Sequence, residues 1–348
     1  MDKGFIRSII LSLASSLTLG GWLLLSMKAI STYPALDYYI LMSFFAFIFL
    51  MVWQALRNKP ISRPKPRVIV NGVLFAAELM IFLSIVNSQN IVMLSALITL
   101  NIIVFTIINI FLHKEVINKH IAIRITVSAL LIIAAVDLIY GLNESTGFTA
   151  LTQADFYMAF LLVIIFGITN YMFSYNSKRV VNEENFIFWI LLSGFTFSML
   201  LFAAIGSGLD VERGLIYYAM AGGMLMFAGI SSMAYGYRYL AYYKNVMRFV
   251  GTNVLFLLSE MDVIFIAILY SIFIDAISSY VLGAIALILF SMVVISTIED
   301  RRSQTNIFTH IVANAVEKEA EQLGIMLRPH RMAQRRGRRR NRAHKRNE

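Results

Sequence analysis

"FLLSEMDVIFIAI", residues 256–268, sets Glu260 and Asp262 inside a run that otherwise reads as hydrocarbon. The fold turns on whether that run sits in water or in lipid. Of 348 residues, 59% are hydrophobic and 14% charged, and the mean hydropathy is +0.72. Soluble domains run at roughly 45–50% apolar and about 25% charged. The chain therefore reads as an all-α integral membrane protein, and its apolar segments recur too closely for a soluble core to intervene. Zero cysteines excludes disulfides, thiolate metal sites and a cysteine nucleophile.

Outward from the opening stretch, apolar windows of the roughly twenty residues needed to cross a bilayer fall near 8–30, 37–56, 68–88, 90–112, 121–140, 154–176, 185–207, 214–236, 249–272 and 277–297. The start resembles a signal peptide, with Lys3 and Arg7 ahead of an apolar run, but the run is long enough to be a first uncleaved span. All five prolines lie outside the windows, so the spans are expected to run unkinked. Short cytoplasmic loops collect Lys and Arg. Lys3 and Arg7, the four loops at Arg57–Arg67, Lys114–Arg124, Lys178–Arg179 and Arg238–Arg248, and Arg301–Arg302 after the last window fall on one side, whereas the loops of the other side hold only Arg213. This alternation predicts ten transmembrane helices with both termini cytoplasmic.

Ten spans divide into two halves of five, and an odd number per half inverts the second relative to the first, as in many secondary transporters. The expected organisation is a first five-helix repeat over 1–140, a non-cytoplasmic linker at 141–152, a second five-helix repeat over 153–298 and a cytoplasmic tail at 299–348. "FLSIVNSQNIVML" (82–94) and "YRYLAYYKNVMRF" (237–249) carry a loose trace of the two inverted repeats.

The stretch "SQNIVMLSALITLNIIVFTIINIFLHKEVINKHIAIRITVSALLIIAAV" (88–136), with Lys114-Glu115, resembles the first copy of the repeat in the drug/metabolite transporter (DMT) superfamily, EamA-like branch. "LLSEMDVIFIAILYSIFIDAISSYVLGAIALIL" (257–289) resembles the second copy, with Glu260 near a family Glu-Pro position and Asp275 near the closing acid. The family proline is replaced here by Met261 or Asp262. The resemblance spans most of residues 8–297 and implies a ten-helix carrier from a family rich in exporters.

A carboxylate at mid-helix costs about 2.5–3.5 kcal/mol on insertion scales, so Glu260 and Asp262 are not expected to face lipid. On a helical wheel, Val254, Leu257, Met261, Phe265 and Ile268 share an apolar arc, while Ser259, Glu260, Asp262 and Tyr270 fill the opposite half. Treated as one helix, the run sets the two acids about 160° apart, too far to share a proton. Glu78 lies on a stripe with Asn71, Phe75 and Phe82, an acid framed by aromatics that suits a cationic or planar substrate. The structural alternative is that Glu78 or Asp262 bonds a neighbouring hydroxyl or basic side chain as glue between helices.

Intramembrane acids mark substrate or proton pathways by default, and burial disfavours the charged form, so such an acid can load a proton on one side and release it on the other. The expected mechanism is proton-coupled alternating access, with Glu260 as leading proton carrier and Glu78 or Asp262 contacting substrate. Asn71, Asn101, Ser259, Tyr270, Asn170 and Tyr171 are secondary pathway candidates. Lys28, near the end of the first span, can pair with a substrate carboxylate but is expected to snorkel to the interface.

The chain has no Walker A loop, HExxH or GxSxG, and its five histidines lie in loops or the tail, so no enzyme and no cofactor or metal site is expected. Residues 305–325 place apolar side chains at helical spacing, and "RRGRRRNRAHKR" (335–346) has eight Arg/Lys in twelve residues, a solvated segment drawn to anionic lipid. The expected function is a secondary active transporter, an exporter of amino acids, amines or other cationic or zwitterionic metabolites, in a bacterial inner membrane. Its expected partners are the small-molecule substrate, protons as coupling ion, the lipid bilayer with anionic lipid at the tail, and a second copy in a homodimer. The competing readings are a polytopic membrane-bound transferase and a non-transporting membrane scaffold.

Overall fold

The computed structural model describes residues 3–58, 61–86, 94, 98–112, 119–141, 153–179, 183–205, 211–241, 256, 258–273 and 279–296. These form ten helices and no strand: α1 (Lys3–Ile30), α2 (Ala35–Arg57), α3 (Pro66–Ile85), α4 (Asn101–Leu112), α5 (Lys119–Gly141), α6 (Gln153–Arg179), α7 (Glu183–Ile205), α8 (Arg213–Ala241), α9 (Asp262–Phe273) and α10 (Ser279–Ser296). Six of them, α1, α2, α3, α6, α7 and α8, contain stretches long and apolar enough to cross a bilayer. The linker after Gly141, the amphipathic segment and the polybasic tail all lie outside the described residues.

The burial pattern is that of a protein whose solvent is lipid. Leu56, Tyr217, Phe111, Leu200 and Ile272 are exposed, whereas Ser12, Ser15, Ser16, Asn71, Glu78, Asn101 and Ser128 are buried. Apolar contact does not drive helices together in lipid, so small and polar residues make the interfaces. Along α1, the Ser15 hydroxyl donates to the Gly229 carbonyl on α8 at 2.9 Å. Between α5 and α10, Ser128 and Ser291 share a hydroxyl hydrogen bond. On α3, a Cβ at Gly72 would meet the Ile190 carbonyl of α7 at 2.6 Å, and on α8 a Cβ at Gly223 would meet the Met42 carbonyl of α2 at 2.7 Å. Both glycines let backbones touch where any side chain would wedge them apart.

The helices pair in a definite order. α1 packs on α8 and α9, while α6 packs on α3 and α4. α2 packs on α8 and α7, α3 packs on α7, and α5 packs on α10.

Chain punctuation follows local chemistry. α2 ends at Asn58, whose left-handed backbone (φ 48°) turns its N–H back to the Gln54 carbonyl. α3 starts with Pro66, where a missing N–H costs nothing. The connection between them is tied to α7, with Asn185 accepting from the Ser62 N–H at 2.9 Å and the Trp189 indole donating to the Ser62 carbonyl at 2.8 Å.

Two expected spans are corrected. Windows 90–112 and 249–272 read as continuous helices, but the chain turns at Thr99–Leu100 and again at Glu260–Met261 before α4 and α9 begin. Short i−3 hydrogen bonds open both downstream helices, Ile102 N–H to Thr99 and Ile264 N–H to Met261, each at 3.1 or 3.0 Å. No proline causes either turn. At the second, the Ser259 hydroxyl bonds the Phe256 carbonyl at 2.7 Å, and Asp262 sits in the first turn of α9. Such side chains offer the backbone an alternative to the helical ladder.

Candidate functional site

The interruptions place the site. A helix that stops leaves carbonyls without N–H partners, and here the Leu258 carbonyl is taken by the Ser16 hydroxyl of α1. One turn further along α1, Gly20 admits the other side of the break: a Cβ there would lie 3.1 Å from the Asp262 carbonyl and 3.2 Å from the Phe265 Cβ. Ser16 and Gly20 thus grip the Glu260–Met261 turn from both ends. On α6, Gly167 does the same for α4, where a Cβ would lie 3.1 Å from the Asn101 carbonyl and 2.6 Å from the Val104 Cβ.

Between these contacts lies a cavity of about 80 Å³, room for on the order of five waters or a small solute. Its walls are helical stripes: Leu19, Trp22 and Leu23 of α1, Phe75, Glu78 and Phe82 of α3, Phe166, Asn170 and Phe173 of α6, and Met226, Ile230 and Met233 of α8. Ser259, Glu260 and Asp262 close it at the interruption. Among the described residues, three carboxyl groups and no Lys, Arg or His line this space.

The carboxyl groups differ in their surroundings. Glu260 is half-buried and bridges two helices: Asn101 Nδ2 of α4 donates to its Oε2 at 2.9 Å, and Asn170 Nδ2 of α6 donates to its Oε1 at 3.2 Å. Asp262 begins α9, where the helix N-terminus favours a negative charge. Glu78 is fully buried, and neither of its carboxyl oxygens has a hydrogen-bond partner among the described residues.

Of the residues singled out by sequence, the structure brings Glu260, Asp262, Glu78, Ser259 and Asn170 onto one cavity, and Asn101 reaches it through Glu260. The wheel that set Glu260 and Asp262 on opposite flanks is corrected, because the turn at 260–261 interrupts the helix on which it was drawn. Both acids face the same space. Asn71 is off the cavity, with its amide on the Thr169 carbonyl at 3.1 Å. Tyr171 packs on Phe105 and Tyr175, each with ring centroids 6.0 Å away. Lys28 is exposed in the last turn of α1. Tyr270 falls on α9, and its side chain lies outside the described residues.

The apolar wall from α1, α6 and α8 was missed. Its signal was present for α6, where Phe166, Asn170 and Phe173 repeat the aromatic–polar–aromatic stripe of Phe75, Glu78 and Phe82.

No protein-family model matches the chain, and no curated protein matches it. Among solved structures, the crystal structure of a protein described in no further words matches 86% of this chain and 99% of its own length, with a TM-score of 0.62 at 16% identity. At that identity the likeness shows a shared fold alone.

Proposed function

We propose that this chain is a secondary active transporter of the EamA-like drug/metabolite type, ten spans in two inverted five-helix repeats, exporting small cationic or zwitterionic metabolites by proton-coupled alternating access. The observation that carries the reading is the pair of interrupted helices at corresponding places in the two halves, meeting at a carboxyl-lined cavity. Irregular backbone at membrane depth is tolerated only where it is packed in protein or lines a cavity, and in many transporters it forms the substrate site.

The helix pairing supports the repeat. Shifting every label by five turns α1 on α8 into α6 on α3, α1 on α9 into α6 on α4, and α2 on α8 into α7 on α3, and all these contacts exist. Such a shift also carries α2 on α7 and α5 on α10 onto themselves. Gly20 against Asp262 and Phe265 has its counterpart in Gly167 against Asn101 and Val104, and the same separation along the chain relates Asn101 to Asp262 and Val104 to Phe265.

Charge supports the substrate class. A cavity whose described lining has three acids and no base favours amines and amino acids over phosphate esters, which want convergent Arg or Lys. Both termini in the cytoplasm of a bacterial inner membrane agree with the distribution of Lys and Arg.

The test is proteoliposomes holding a trapped pH-sensitive dye, exposed to amino acids and quaternary ammonium ions, which do not carry protons across lipid unaided. A solute that moves protons only when the protein is present meets the expectation. Silence across the whole panel, from a preparation that melts cooperatively, sinks the transporter reading.

A further inference from the structure

Two acids share the cavity but not their partners. Glu260 receives an amide N–H on each oxygen, from Asn101 and Asn170. Glu78 receives none among the described residues and is fully buried. The Thr169 hydroxyl of α6 interacts with Glu78 but closes no hydrogen bond of ordinary length, to it or to another described residue. A buried carboxylate without a donor is strongly disfavoured, whereas the neutral acid, or a carboxylate matched by a cation, is tolerated. Glu260 has on both oxygens the donors that a carboxylate accepts.

Resting on the transporter reading, we propose that Glu78 is the exchange site, holding a proton when the cavity is empty and the ammonium group of an aromatic or apolar amine when it is loaded, while Glu260 remains a fixed anion. Phe75 and Phe82, one turn either side of Glu78, and Phe166 and Phe173 across the cavity supply faces for the cation and its apolar body. This reverses the roles expected from sequence, where Glu260 led as proton carrier.

The exchange balances without covalent chemistry. The ammonium enters charged, the Glu78 O–H proton leaves to water, and the new carboxylate pairs with the N–H donors of the ammonium. The charge of the cavity is the same before and after. Among the described residues, the titratable groups that act on the pair are Tyr39 of α2 and Glu260 on Glu78, and Asp262 and Tyr237 of α8 on Glu260. Because the ligand displaces a proton, its affinity rises with pH, about tenfold per unit while the empty site is protonated, and levels off above that range.

The experiment uses the full chain in detergent, weakly buffered near neutral pH with an indicator dye, and 2-phenylethylammonium chloride as probe. Wild type is expected to release about one proton per probe bound. Glu78→Gln should abolish the release, and Glu78→Asp, which keeps the carboxyl, should retain it with weaker binding and so guards against misfolding of the first variant. Glu260→Gln should weaken binding several-fold but keep the release. Release that survives in Glu78→Gln and disappears in Glu260→Gln overturns the assignment, as does failure of wild type to bind the probe. Proteoliposomes separate the two readings: proton release in detergent with no protein-dependent movement of radiolabelled probe sinks the transporter reading and leaves the exchange site standing. Proton-driven movement that is undiminished in Glu78→Gln sinks the exchange site and leaves the transporter.

Discussion

Gly167→Ala tests whether close helix approach is what positions the site. A methyl group there lies 2.6 Å from both Cβ and Cγ1 of Val104 and 3.1 Å from the Asn101 carbonyl. Carbon atoms pack at about 3.5–4.0 Å, so α6 and α4 must part by about 1 Å. Rotating Val104 moves Cγ1 aside, but its Cβ is fixed to the α4 backbone. The same movement carries Asn101 Nδ2 away from Glu260 Oε2, now 2.9 Å distant, and out of hydrogen-bond range. Overpacking of this kind costs about 1–3 kcal/mol, and losing a hydrogen bond to a charged group adds about 1.5–3 kcal/mol. Gly20→Ala is the matched comparison, since contacts at 3.1 and 3.2 Å yield with a shift of a few tenths of an ångström. Unfolding of the detergent-purified variants and binding of 2-phenylethylammonium are the assays. Gly167→Ala should lose more stability than Gly20→Ala and bind the probe more weakly. Adding Val104→Gly, which removes the Cβ, should recover part of the loss, while Val104→Ala should not. Wild-type stability in Gly167→Ala, or equal losses in the two glycine variants, would refute the reasoning.

Other expectations follow from single contacts. Ser16→Ala strands the Leu258 carbonyl at the interruption and should cost about 1–3 kcal/mol in the same unfolding assay; no loss would mean that the carbonyl has another partner. Glu78→Leu removes a buried acid without donors and should raise the unfolding midpoint, by about 1–3 kcal/mol of stability, while abolishing proton release; a lower midpoint would show that Glu78 is satisfied within the fold. Arg238 pairs with Glu183 at 2.9 Å with both side chains partly exposed, so a double-mutant cycle on the two should give a coupling below about 1 kcal/mol, falling further with added salt.

The class of the protein was legible because it depends on sums: hydropathy over twenty residues is insensitive to any one side chain. Helices α1, α2, α3, α6, α7 and α8 fall within a few residues of their apolar windows for that reason. The interruptions were hidden because their causes are not local. No proline or glycine stands at Thr99–Leu100 or Glu260–Met261, and the partner that satisfies the broken backbone, Ser16, is on a helix far away in sequence. Once the interruption was missed, the wheel through it misplaced Glu260 relative to Asp262. Glu260 was legible as an acid where acids are costly. That Asn101 and Asn170 would hold it was not, since a hydrogen bond between distant helices leaves no periodic trace.

The proposed repeat gives that asymmetry a reason. The separation that relates Asn101 to Asp262 also relates Thr99 to Glu260, so the two positions that line the cavity at the second interruption have counterparts at the first. One half fills them with a hydroxyl and an amide, the other with two carboxyl groups. Had position 101 carried an acid, a further like charge would have stood against Glu260 in a space lined, among the described residues, by no base, and repulsion would have forced a further proton onto the acids there. With an amide at position 101 reaching across to Glu260, the first half supplies the donor that the second half's carboxylate needs. Asn101→Asp is therefore the decisive change: it exchanges a donor for a like charge and should put a second proton in the empty cavity, shared between Glu260 and the new carboxyl. Proton release per probe bound should then rise above one, which titration of the variant measures directly, and an unchanged stoichiometry would show that the two acids do not communicate.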